Sequence, residues 1–372
     1  MTNRKPSSSI PGWIHLLFIL AVFFILRQVS TTSREKPPRK ETAYVTIDTS
    51  ALLKETTQLI TPVKSSSVIP TPFSNLITTA PVNDILIEPD GSVWAATEEG
   101  AATYINGHIT EYTSADGTFP FEQATSLLLS KDTLFVSGFY GVAKRTKNKF
   151  ITSNIDISLI WDSLQDGAST WFSTQTGLYL VTEKDENPVK IDKDSTNNGL
   201  RYNWCRNLLR TGSKLFIIQD SCLSIWELSL PASNPNSWKR IEYSDLNINS
   251  PVNSVGFDGT HLWLATNSGL FRILPPLNEF GMPIKHSAEL FTTLNNLPSN
   301  KINTVLGHKG NLWVGTEQGL AVVTQGGSIK QIVPDKPYRP LPIRALSFYG
   351  EILWIGTDSG LQFINTAMFQ LT

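Results

Sequence analysis

The hydrophobic positions of this 372-residue chain fall into short runs that repeat. Over residues 303–323, NTVLGHKGNLWVGTEQGLAVV, three apolar runs are separated by two Gly-containing tight turns. Runs of this kind, rich in Val, Leu and Trp and bounded by Gly and Asn, predict antiparallel strands. The pattern returns about seven times, each copy built on an aromatic anchor: Trp94, Phe135, Trp171, Phe216, Trp263, Trp313 and Trp354. The anchors stand 36 to 50 residues apart, the period of a four-stranded propeller blade. A predicted hairpin turn precedes most anchors. In most copies a Thr follows, then a Gly three positions on, where glycine supplies the positive φ of the next turn. A blade has two apolar faces and buries them only against neighbours around an axis. The anchors are therefore expected as wedges between blades, not as a stacking box for a cofactor. The expectation is an all-β fold, a seven-bladed β-propeller of four-stranded blades over residues 73–372.

The N-terminus breaks the pattern. Residues 1–11 are a short polar tail. Residues 12–26, GWIHLLFILAVFFIL, are almost wholly apolar and are closed by Arg27. That run is shorter than the ~20 residues a spanning helix usually needs, but its flanks extend it to a transmembrane signal anchor at 12–29. A signal peptide is the competing reading, disfavoured because no small-residue cleavage site follows. Residues 30–72, rich in Ser, Thr, Pro and Lys, predict a disordered linker.

The repeat phrases resemble the two-component-regulator propeller repeat. Leu297, Pro298, Ser299, Asn300, Lys301 and Ile302 match its leader, residues 310–320 match its core, and residues 354–361 match the second half of that core. The resemblance covers about 73–372; the second and fourth copies are poor matches. It implies a sensor-type propeller outside the inner membrane. In that family a further module, a membrane span and a histidine kinase often follow. Here the chain reaches Thr372 straight after the last repeat, so signalling is expected through a separate partner. Ring closure is expected from an N-terminal strand near residues 73–78 completing the last blade, with residues 368–371 as the competing strand.

The remaining composition narrows the function. The 31 basic and 32 acidic residues balance, which gives no support to a nucleic-acid partner. Basic residues are denser after the apolar run than before it, which taken alone would keep the propeller in the cytoplasm. Against this, Cys205 opens the first strand of the fourth repeat and Cys222 stands where other repeats have the turn Gly. Antiparallel strands would bring them close, making them candidates for a disulfide and for an oxidising compartment such as a periplasm. No catalytic, metal or cofactor motif emerges, so no enzyme, no metal and no cofactor are expected. His261 and His308 lie in first-to-second-strand hairpins, and Asp162, Asp166 and Gly167 read as a hairpin turn rather than a calcium loop.

Candidate ligand-binding residues lie in the loops of one rim: Phe139 and Tyr140; Arg201, Tyr202 and Trp204; Tyr338 and Arg339. Arg206, Asn253, Asn303 and Arg344 recur at one position early in the first strands, near the central channel. Aromatics with Arg and Asn suit a small carbohydrate-like or anionic ligand, or a protein partner. The expected function is a membrane-anchored, periplasmic ligand-sensing or protein-binding module. A structural scaffold in a cell-envelope complex is the alternative, and a propeller lyase or hydrolase the third reading.

Overall fold

A computed structural model of the chain describes residues 68–74, 76–182, 185–274, 287–335 and 339–369. The expected tail 1–11, the anchor 12–29 and the linker through 67 lie outside them. Among the described residues no helix is long and apolar enough to cross a membrane.

The repeats fold as seven antiparallel sheets, the blades. Blade 6 shows the unit: Ile302–His308, Asn311–Thr316, Gly319–Val323 and Ile329–Pro334, in chain order from the axis outward. The first strands of successive blades are neighbours all the way round, and Ile343–Tyr349 of blade 7 packs on Val82–Ile87 of blade 1. The ring therefore encloses a channel lined by seven first strands.

Apolar burial holds the ring. The described core residues form seven clusters, and each spans one interface between neighbouring blades. Every anchor sits on a second strand, as the repeats predict. Trp263 and Trp313 are each 1% exposed; Phe135 is the exception and is only partly buried. Polar groups fix the orientation of the wedges. Trp94 Nε1 donates to Glu88 Oε2 at 2.8 Å, and Arg145 of blade 2 takes the same carboxylate through two bonds of 2.8 Å while lying over the indole. The pair is partly buried, and removing Arg145 would leave the Glu88 carboxylate with the Trp94 indole N–H as its remaining side-chain donor among the described residues.

The Thr-to-Gly spacing has a direct physical role. Thr316 Oγ1 donates to the Gly319 carbonyl at 2.8 Å and accepts from Gln318 N at 3.0 Å, closing the turn; Thr266 and Thr357 do the same in blades 5 and 7. Closure of the ring uses the N-terminal strand, as expected. Ile77–Thr78 pairs antiparallel with Leu361 and Gly360 of blade 7, and Ser74 exchanges two 2.9 Å bonds with the Phe363 backbone. Residues 366–368, in contrast, form a 3-10 turn. Ahead of the closing strand, Val68–Thr71 adds a fifth, parallel strand to blade 6, starting upstream of the expected boundary at Phe73. Because it runs parallel to Ile329–Pro334, which leads toward the start of blade 7, Val68 enters on the hairpin rim, opposite the rim that carries the candidate loops.

Candidate ligand site at the channel mouth

Each first strand opens with one residue that has no cross-strand partner, a β-bulge that turns a side chain toward the channel. The register skips Asn83, Thr125, Trp161, Asn253, Asn303 and Arg344, with Arg206 at the equivalent place in blade 4. These seven residues border the mouth, a cavity of about 360 Å³. Four of them bind the backbone carbonyl that opens the next blade: Asn83 to Ala124 at 2.8 Å, Thr125 to Ile160 at 2.9 Å, Asn253 to Ile302 at 2.7 Å and Asn303 to Ile343 at 3.0 Å. Arg344 crosses the closure to Asn83 Oδ1 at 2.7 Å and pairs with Glu98 at 2.8 Å and Asp358 at 3.1 Å.

The next residue of each first strand forms a second tier. In blades 1 to 5 its side chain accepts from a backbone N–H of the following blade: Asp84 from Leu127 at 2.8 Å, Ser126 from Ser163 at 2.9 Å, Asp162 from Leu208 at 2.8 Å, Asn207 from Val255 at 3.2 Å, Ser254 from Val305 at 3.4 Å. Desolvation in the channel wall, with the charge of Asp162, pushes Asp84 up to about 7. Desolvation likewise raises Asp162 to about 6, against the donors that oppose it. Both carboxylates are engaged as acceptors within the ring, which makes them latches between blades. Asp162 therefore lies within the first strand, paired with Ser173, rather than in a hairpin turn; Asp166 and Gly167 do close that hairpin.

The upper ring of bonds breaks at blades 3 and 4. Trp161 Nε1 and Arg206 Nε are both sequestered from solvent without an acceptor. Instead the aromatics gather: Phe139 packs edge-on to Trp161 at 4.8 Å, Trp161 stacks with Trp204 at 6.2 Å, and the Arg206 guanidinium lies 5.7 Å and 5.2 Å from the two indole centroids. Arg206 also lines a second cavity of about 710 Å³ in the crevice between blades 4 and 5, with Arg201, Tyr202 and Tyr243.

Blade 4 explains why its loop differs. Gln219 takes the place of the turn Thr and Cys222 that of the turn Gly. The Gln219 side chain donates to the Tyr202 carbonyl and accepts from Arg201 N at 3.2 Å and Ser224 Oγ at 2.7 Å, which ties the 201–204 loop to the blade. Cys205 and Cys222 are free, buried thiols, and no disulfide joins them. The Gln219 amide contacts both, at 3.9 Å and 3.6 Å. Of the candidate binding residues, Phe139, Trp204 and Arg206 converge with Trp161. Arg201 and Tyr202 line the crevice, Tyr140 stands 68% exposed in the same turn as Phe139, and Arg344 lies at the mouth in its own ion pairs. Arg339 is exposed, and Tyr338 lies outside the described residues. Trp161, Asn83 and Thr125 were not singled out by sequence. The signal was available: they hold the same place after the first buried residue of each first strand.

No family model and no curated protein matches the chain. Solved structures do. The chain is similar to the extracellular domain of the hybrid two-component system BT4673 from B. thetaiotaomicron, at 18% identity and a TM-score of 0.63, covering 79% of this chain and 40% of that one. What is shared is the β-propeller fold. The chain spans about two fifths of the length of the BT4673 domain. It is also similar to PorZ, a surface component of the type-IX secretion system of Porphyromonas gingivalis, at 12% identity and a TM-score of 0.53, covering 78% of this chain and 37% of that one. Virginiamycin B lyase from Staphylococcus aureus matches at 15% identity and a TM-score of 0.56, covering 78% of this chain and 97% of that one. Identities this low speak to the fold alone.

Proposed function

We propose that this chain is an extracytoplasmic recognition module, anchored by residues 12–29, that senses a ligand or binds a protein and passes the signal to a separate partner. The observation that carries this reading is the break in the mouth ring at Trp161 and Arg206. Five of seven positions there are committed to holding blades together, and two are left with sequestered donors beside exposed aromatics. Such a surface suits recognition of a ligand or a partner. The carboxylates nearest the mouth, Asp84 and Asp162, are bound by backbone N–H groups. Of the described histidines, His261 and His308 sit at the opposite rim and His108 on an outer strand. The BT4673 neighbours are extracellular domains, which supports placement outside the membrane now that the cysteines no longer argue for it.

The test is photo-cross-linking in living cells from single positions on the full-length protein. Cross-links from Tyr140, 68% exposed beside the mouth, with none from Val189, 56% exposed on an outer strand, are the expected result. Equal cross-linking from both positions would favour the scaffold reading, in which partners cover the whole surface; none from Tyr140 would refute recognition at the mouth.

A further inference from the structure

We propose that the break in the ring is a binding site for a small organic carboxylate, held where the crevice between blades 4 and 5 reaches Arg206; this rests on the recognition reading above and names its ligand class. Tyr243 decides the place. It is 4% exposed, lines the crevice, and its hydroxyl has no hydrogen-bond partner. Burial, and then Cys222, push that hydroxyl well above its usual range, against the Arg206 guanidinium and the backbone N–H of Gln219, which already donates to the Cys222 carbonyl at 3.0 Å. A buried hydroxyl left unpaired works against folding, and a ligand oxygen would satisfy it.

Arg206 supplies the charge. Among the described residues no carboxylate pairs with it, in contrast to Arg344 at the equivalent position of blade 7. Of the two carboxylates that line the crevice, Glu242 is held by Arg240 at 3.1 Å and Asp220 is exposed. The indoles of Trp161 and Trp204 lie against the guanidinium and fix it in place. A fixed, planar fork of N–H donors is complementary to the planar pair of oxygens of a carboxylate. The polar walls of the crevice, with Ser221, Ser244 and Asn249, suit a ligand that carries hydroxyls or amides beyond its acid group. A sugar acid and a peptide C-terminus share this chemistry.

Isothermal calorimetry on the purified full-length protein in detergent separates these sources. The probes are glucuronate with glucose as its neutral counterpart, and a tripeptide acid with its C-terminal amide. One acid is expected to bind, with its neutral counterpart roughly tenfold weaker or more, as loss of a charged, forked interaction implies; which acid binds names the source. Tyr243→Phe, which removes a hydroxyl that supports nothing in the fold, is expected to weaken binding roughly fivefold without lowering the melting temperature. Arg206→Gln is expected to weaken it roughly tenfold or more. Failure of both acids to bind, equal binding of acid and neutral probe, or wild-type binding by Tyr243→Phe would overturn the carboxylate site. The recognition reading is judged independently, by the cross-links from Tyr140.

Discussion

Asp84 is a carboxylate where blade 4 places the amide Asn207, and both side chains accept a backbone N–H from the next blade. Asparagine can therefore make the latch without the charge. Asp84 is pushed up to about 7 by desolvation and then by Asp162, so the fold favours its protonated form. The sign follows: the folded state holds a proton between pH ~4 and ~7 that the unfolded chain has released, and stability falls as pH rises through that window, then levels. Asp84→Asn should reduce the fall to the part that Asp162, itself raised to about 6, contributes, and stabilise the protein at pH 8 by on the order of 1–3 kcal/mol, with little gain at pH 4, measured by urea denaturation at the two pH values. The cysteines make a second residue-level prediction. Burial pushes the Cys222 thiol up to about 11 and Cys205 higher still. Neither should react with a thiol reagent in the native protein at pH 8, and both should react in denaturant without reductant. A denatured chain with no reactive thiols would restore the disulfide. Sequence could relate the two residues only through strand register, and it had no means of seeing that the Gln219 side chain contacts both sulfurs.

The closing strand is short, and its hold on blade 7 depends on one backbone position. Gly360 has φ +131, a conformation that L side chains rarely adopt, and a methyl added there would drive into the Ile77 carbonyl. Gly360→Ala should cost on the order of 2–4 kcal/mol. A chain that starts at Pro81, lacking Ile77–Thr78, should lose more and unfold less cooperatively; one that starts at Phe73, lacking only Val68–Thr71, should lose little. Calorimetric melting of the three variants tests this order. The closing role of the N-terminus was legible because the repeats leave the last blade one strand short. The parallel strand Val68–Thr71 was not, since VIPT carries a proline and sits in a Ser- and Thr-rich stretch with no repeat partner. Edge strands tolerate such composition because one side needs no bonds.

For the whole molecule, seven spaced anchors sufficed for the architecture, because blades can bury their faces in only one kind of arrangement. The working face was legible in outline, from Arg206, Asn253, Asn303 and Arg344 sharing one position. Their chemistry was not, since three of the four turned out to be spent on the ring and on ion pairs. That Trp161 and Arg206, alone among the seven mouth positions, leave a buried donor without an acceptor emerges only when the blades are brought around the axis. The Tyr243 hydroxyl likewise belongs to a blade whose divergent turn hides its register. The account as a whole requires the propeller, and with it the mouth, to lie outside the membrane, against the basic residues that follow the apolar run. The most direct measurement is a pair of fusions after Thr372 of the full chain, one to alkaline phosphatase and one to green fluorescent protein, expressed in a Gram-negative host. The account predicts active phosphatase and a dark fluorescent fusion; inactive phosphatase with a fluorescent partner would put the propeller in the cytoplasm and contradict it.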